Sequence, residues 1–555
     1  MSPDPINHAS DLIEKAGLNH PYDELLHEFI YRAVDQYEAA HYAIQRIAAG
    51  EAQQMADDWV HVVKSVTTAG LLPPPPSDSQ QRDVKLRDGG RCCITGKTGS
   101  LWDPLVVAPI LPIPSGWIDI DNSRIHELLG VFFTPSYRDW WLGYAARPSD
   151  MNPLHSHWLV QRSAASAFAN GFVRLQRFSP SLVEFRVEQV AMTPLVKPTG
   201  IRGLYPVMVD QSRNNLAKVD ARFIGTQARL ASTIQLVAIA QEHGLEAPTS
   251  SLDEKEPVWH PRRSSPFLLP LRLFGRALLQ LWRLMPGLAR LKVYQSLYRL
   301  GTYLYPTHGS ASVRRLPFGL YLKESDLEDE LDRILNEAEA LRWVQRHSDV
   351  PVPRPLDVVY RPGGRQVAYL LMTRLPGFQL IRSLNALSAR GARQIMGQLE
   401  QYLSQIRKIP NTANEAMAIC NTLGGPIADM RLRGGKPLGP FRDEADFSNI
   451  MRYPDDPGRQ GHEIVFTHAD LNPRNILVDQ FKRPDGSRGW MVTGIIDWEM
   501  AGFYPEYWEY TKSMFEGRSW PKRYNNWIHG LWARFGDYTK EMDVELRAWA
   551  SGCAV

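Results

Sequence analysis

Residues 466–479 read FTHADLNPRNILVD, and MVTGIIDW follows at 491–498. Apolar runs in EIVFTH, NILVD and MVTGIIDW have the character of strands. Asp470, Asn475 and Asp497 therefore fall on loops beside adjacent strands. Asp and Asn side chains offer hard oxygen ligands, which suit a Mg²⁺ that bridges phosphate oxygens. Asn475 and Asp497 are the candidate ligands, and Asp470 is left to orient a hydroxyl and accept its proton. His468 is assigned to holding the loop in shape. A plainer reading has His468 and Asp470 only hydrogen-bonding the turn around Pro473. The H-x-D-x-x-x-x-N spacing, with I-I-D closing 22 residues beyond Asn475, argues against it.

Such groups need elements to hold them. In PFGLYLKES (317–325), Leu320 and Leu322 point one way and Tyr321 and Lys323 the other, so a short strand presents Lys323 near its end. Ser325 and Glu328 have capping-box spacing ahead of the next helical series. There Ile334, Leu341 and Val344 share a stripe with Glu337, while Glu339 joins Asp332, Arg342 and Arg346 on the polar side. A carboxylate on a buried stripe requires a cationic partner, and Lys323 is the natural one. PVPRP (351–355) ends this helix, and VAYLLMT (367–373) reads as a buried strand running into RLPG.

Together HADLNPRN, IIDWE, LYLK, NEAEALRWV and LLMTRLPG resemble the aminoglycoside phosphotransferase family, a branch of the protein-kinase-like fold. LPFGLYLK and IIDWEMAGFYPEYWE are similar to its large fungal-type group. The resemblance covers roughly 290–530. It implies a two-lobed kinase-like domain over 290–555, with an N-lobe to about 375 and a C-lobe from about 376. It also implies ATP as phosphate donor (GTP as the other candidate) with Mg²⁺, Asp470 as catalytic base, and Asn475 and Asp497 on the metal. Lys323 would contact the nucleotide phosphates, with Glu337 holding it. Thr373 and Leu375 would offer backbone groups to the adenine, with Met372 just before them. The sequence departs from the family at Ala469, where glycine is usual. It departs again at THGSASVRRLPFG (307–319), where Gly309, Ser310, Ala311 and Ser312 stand in place of a G-x-G-x-x-G loop. The acceptor stays open, because a fold does not name its substrate.

Farther upstream, LRDGGRCCITGK (86–97) and LVVAPILPIPSGW (105–117) resemble the start of HNH nuclease-like domains. Pro109 occupies the first histidine position of that pattern, and Ala165 and Ala169 occupy its later His and Asp positions. Proline and alanine neither bind metal nor take a proton, so the resemblance implies an HNH-like shape without nuclease chemistry.

The expected architecture is an α+β multidomain chain. A helical N-terminal segment covers 1–72, an HNH-like α+β domain 82–190, a helical connector and linker 200–289, and the kinase-like domain 290–555. Apolar spacing over 24–49 predicts a helix stopped at Gly50, with others over 51–69 and 214–243. LLPPPPSDSQQ and residues 248–266 read as linkers. A net charge of +3 points to no nucleic acid. Four cysteines (Cys92, Cys93, Cys420 and Cys553) without a C-x-x-C pair, and no apolar leader, fit a cytoplasmic protein. FLLPLRLFGRALLQLWRLMPGL (267–288) carries Arg272, Arg276 and Arg283, which argue against a spanning helix. Packing on a neighbouring domain is favoured over peripheral membrane contact. Two functions are consistent with all this. One is a kinase phosphorylating a hydroxyl of a small molecule, with a protein as the lesser alternative. The other is a non-catalytic, pseudokinase-like interaction protein with an inactive HNH-like binding module.

Overall fold

The structure is a computed structural model. It describes residues 4–67, 75–111, 123–146, 152–177, 184–190, 207–209, 216–244, 279–305, 312–325, 331–361, 367–483, 487–517, 520 and 522–551. Two compact units result, Met1–Glu246 with Arg382–Ala389, and Ala247–Ile381 with Arg390–Val555.

The first unit is built on one apolar core that runs from Ala9 to Ile239 and includes Phe29, Trp59, Phe132 and Trp158. The helix expected over 24–49 is two helices, Tyr22–Arg32 and Gln36–Ala48. Ala33 leaves the helix at ψ 155°, and the Asp35 side chain accepts the N–H groups of Tyr37 and Glu38. Aspartate at an N-cap offers the chain a new start that apolar periodicity alone does not reveal. Ser77 and Gln80 likewise form a capping box on the Asp78–Arg87 helix, so the tail of the expected linker opens a helix. Ala52–Thr67 is helical as the spacing predicts, and the helix expected over 214–243 is Ala221–His243, started by the Asp220 cap. The amide nitrogens of buried Gln227 and Gln235 on that helix donate to the carbonyls of Phe168 and Val173, and of Gly171 and Val190.

Strand β1 (Leu105–Pro109) pairs antiparallel with β2 (His157–Gln161), setting Pro109 opposite His157. The Arg162–Ala169 helix, which carries Ala165 and Ala169, begins immediately after β2. Strands β3 (Val173–Arg177), β4 (Glu184–Gln189) and β5 (Val207–Val209) form a separate antiparallel sheet.

In the second unit β6 (Val313–Leu316), β7 (Leu320–Ser325), β8 (Pro355–Tyr360) and β9 (Ala368–Thr373) form an antiparallel sheet ordered β6-β7-β9-β8. Its alternating side chains divide as the sequence predicts. Leu322, Tyr369 and Leu371 pack with Leu291 and Tyr294 of the Gly287–Leu304 helix. On the other face Tyr321, Leu370 and Met372 pack with Ile334 and Ala338 of the Leu331–His347 helix. Ser325 is the last residue of β7 and pairs with Ala368; Glu328, the other half of the expected capping box, lies outside the described residues. Gly309, Ser310 and Ala311 of the expected phosphate loop, and residues 248–266, also lie outside them.

Beyond β9, β10 (Phe378–Gln379), β12 (Ile476–Lys482) and β13 (Arg488–Ile495) make a second sheet. Strand β11 (Ile464–Thr467) pairs with β14 (Gly502–Pro505). The outer edge of β13 is closed by the Ala389–Ile406 helix. Its Gln394 and Gln398 amides bond the backbones of Trp490 and Val492, which removes an open strand edge.

Candidate active site

The β12–β13 pairing sets the site. Asn475 directly precedes β12, Asp497 lies two residues beyond β13, and the Ile496 N–H donates to the Asn475 carbonyl at 2.9 Å. Both side chains thus leave the same end of one hairpin. Asp497 has φ +68°, a left-handed conformation uncommon for a non-glycine residue and frequent at functional positions.

The loop between β11 and β12 is fixed by a chain of hydrogen bonds. The Asp470 N–H donates to His468 Nδ1 at 3.2 Å, so the ring's proton is on Nε2, 3.0 Å from the Ile496 carbonyl. Full burial lowers the His468 pKa, in keeping with a neutral ring. Its role is to tie the Asp470 turn to the strand end that carries Asp497. The Asn475 amide nitrogen donates to the Asp470 carbonyl and to Asp470 Oδ2, each at 2.9 Å. Both bonds use the nitrogen, which leaves the amide oxygen as the atom suited to a cation. Hard oxygen donors on Asn475 and Asp497 fit Mg²⁺ by chemical type.

On the other side of the site, Lys323 is 6% exposed, and its Nζ donates at 2.7 Å to each of Glu337 Oε2, Asp497 Oδ1 and Glu499 Oε2. Ligand oxygens of those carboxylates lie within 4.8 Å of one another. Burial alone would push the Lys323 pKa down, but the surrounding carboxylates outweigh it and hold the pKa well above its ordinary value. Burial pushes the Glu337 carboxyl up, with Lys323 opposing. The pairing of Lys323 with Glu337 is the one expected from the stripe of the Leu331–His347 helix.

Met372, Thr373 and Leu375 are unequal. Met372 lies in the interior of β9 and is buried. The Thr373 N–H donates to the Arg354 carbonyl at 3.0 Å, so of its backbone groups only the carbonyl is left for a ligand. Leu375 N–H and C=O enter no hydrogen bond among the described residues. Its side chain packs so closely on β13 that a Cβ at Gly494 would come within 2.3 Å of Leu375 Cδ1. Glycine at 494 is what lets the connection between the sheets pass here.

Several residues of the site were not singled out by sequence. Glu509, 3% exposed, accepts the N–H groups of Ala469 and Leu471, both at 2.7 Å, and so clamps the backbone on either side of Asp470. Lys512 Nζ is 3.8 Å from Asp470 Oδ1 and 3.4 Å from Asp429 Oδ1. Glu499 completes the cage around Lys323. The available signal was charge at an i, i+3 interval inside the aromatic run WEYTK, on a face that such residues bury. Burial pushes the Asp470 carboxyl up to about 7 against the Lys512 ammonium, with Glu516, Asp497 and Glu509 adding to the rise. A carboxylate in this setting can take a proton from a hydroxyl held beside it.

Residues 310–549 match the model of the phosphotransferase enzyme family, APH. Among solved structures, aminoglycoside phosphotransferase APH(4)-Ia, as a thermostable apo mutant, is 15% identical. That match covers 44% of this chain and 87% of the other, with a TM-score of 0.30. The GDP complex of aminoglycoside 2'-phosphotransferase-IIIa is 12% identical, covering 45% and 86%, with a TM-score of 0.32. APH(3'')-Id from Streptomyces rimosus, in complex with ADP and streptomycin, is 19% identical, covering 45% and 96%, with a TM-score of 0.28. No protein of curated function matches the chain. The C-terminal half of this chain carries an APH phosphotransferase-family domain.

Proposed function

We propose that the C-terminal half is an ATP- and Mg²⁺-dependent phosphotransferase that moves the terminal phosphate to a hydroxyl of a small molecule. The observation that carries this reading is the convergence of Lys323, paired with Glu337, and the Asp470–Asn475 loop on Asp497. Asn475 and Asp497 would hold the metal, which when bound neutralises charge on the phosphate oxygens. Lys323 supplies a fixed cation for the nucleotide phosphates, and Glu337 keeps it aimed. Asp470 orients the acceptor hydroxyl and receives its proton as the new O–P bond forms. The bond from the terminal phosphorus to the bridging oxygen breaks, and ADP leaves. Lys512, beside Asp470, adds positive charge on the acceptor side. Leu375, with its unpaired backbone groups, is the best-placed contact for the adenine. No nuclease reaction is assigned to the N-terminal half, because Pro109, Ala165 and Ala169 bring neither ligand nor base.

The test is transfer of a labelled terminal phosphate from ATP to pooled hydroxyl-bearing metabolites. A labelled product is expected with the wild type, and Asp470→Ala should reduce its formation roughly 10²–10⁴-fold. Equal labelling by both proteins removes Asp470 from its role. No labelling by a chain that also ignores nucleotide favours the interaction-protein reading.

A further inference from the structure

We propose that the outward face of the Gly287–Leu304 helix, with the turn before it, docks on an anionic lipid surface. The inner face of this helix is fully employed. Leu291 and Tyr294 are buried against the β6–β9 sheet, the Tyr294 hydroxyl donates to Asp357 Oδ2 at 2.8 Å, and Arg290 bonds the same carboxylate. Just upstream, Trp282 turns inward and donates to the Tyr294 hydroxyl.

The opposite face is unlike an ordinary solvated one. At about 100° per residue, Val293, Leu300, Tyr303 and Leu304 share the half of the helix away from Leu291 and Tyr294, with Leu288 at its edge. All of them are exposed, Leu288 at 62% and Tyr303 at 83%. Leu281 and Leu284, at 63% and 80%, extend the patch into the preceding turn. The only charged residues on this half are the exposed Lys292 and Arg299. Residues 257–323 contain eleven Lys and Arg and no Asp or Glu, in a chain whose totals are 63 and 60. Apolar side chains with basic residues among them, and no acid on this half of the helix, match the boundary between anionic headgroups and acyl chains. Among the described residues no helix is long and apolar enough to cross a membrane, so the contact is with the surface. A second copy fits less well. A two-fold contact sets the same patch against itself, bringing Lys292 and Arg299 against like charge.

The experiment is flotation of the full chain with vesicles of phosphatidylcholine alone, or of phosphatidylcholine with phosphatidylserine. The chain should float with the anionic vesicles, and added salt should weaken the association. Lys292→Glu with Arg299→Glu should lower partitioning roughly tenfold or more. Leu288→Ser with Leu300→Ser and Tyr303→Ser should release the chain as well, and since all three side chains are exposed the variant should stay folded, as its melting curve shows. Absence of flotation by the folded chain would overturn the proposal, as would flotation indifferent to both sets of changes. So would a concentration-dependent dimer that the same substitutions dissolve.

Discussion

Ala469 shows how one residue type reports a backbone requirement. It sits at φ +61°, fully buried, with its N–H held by Glu509. A left-handed conformation costs a residue with a Cβ roughly 1–2 kcal/mol, and glycine avoids that cost. The unusual feature noticed in the sequence, alanine where the resembled family has glycine, therefore has a conformational meaning. In Ala469→Gly, strain relief is offset by the lost methyl and by a more disordered unfolded chain. The expected change in stability is within about 1 kcal/mol by thermal melting, with phosphate transfer retained. Ala469→Val should cost more than roughly 2 kcal/mol and impair transfer, because a β-branched side chain rarely tolerates this φ. Wild-type behaviour of the valine variant would mean that the Asp470 turn is not held as described.

At the scale of elements, the Lys323–Glu337 pair joins a strand to a helix through charges that are costly to bury singly. Lys323→Met leaves the carboxylates of Glu337, Asp497 and Glu499 facing one another, and should destabilise the unit by roughly 3–5 kcal/mol. Adding Glu337→Gln should recover part of that loss in a double-mutant cycle read by urea unfolding. Strict additivity would contradict the pairing. A second junction lies at His462, whose Nδ1 and Nε2 face Glu444 at 2.6 Å and Glu541 at 3.1 Å. Burial alone would lower the imidazole pKa, but those carboxylates lift it from 6.5 to about 9. A raised pKa means the folded state holds the proton more tightly. The resulting stability is complete below pH 6.5 and is lost as pH rises through about 9. His462→Gln should remove on the order of 2 kcal/mol at neutral pH and flatten the stability profile across that interval. An unchanged slope in pH-dependent unfolding would place the proton elsewhere.

Across the whole molecule, what the sequence makes legible depends on how far apart the partners lie. Asp470, Asn475 and Asp497 were readable because one hairpin carries the last two and Asp470 lies on the short loop that enters it, and Lys323 and Glu337 because each obeys the period of its own element. Glu509 was not, since it clamps a turn 40 residues earlier through backbone groups that have no sequence signature. The break at Ala33–Asp35 was hidden because apolar spacing continued across it, while a single capping carboxylate decided the local geometry. Of the stretch 267–288, residues 267–278 lie outside the described residues; in the rest Trp282 turns inward while Leu281 and Leu284 remain exposed, a distinction that needs the neighbouring sheet.

The central claim is that the second unit binds a nucleotide with Mg²⁺ through Asp497. Calorimetric titration of the full chain with ATP and with GTP, each with and without Mg²⁺, tests it most directly, with Asp497→Ala alongside. The account predicts Mg²⁺-dependent binding of at least one nucleotide by the wild type, lost in a folded Asp497→Ala variant. Wild-type protein that ignores both nucleotides with Mg²⁺, or an Asp497→Ala variant that binds as the wild type does, would contradict it.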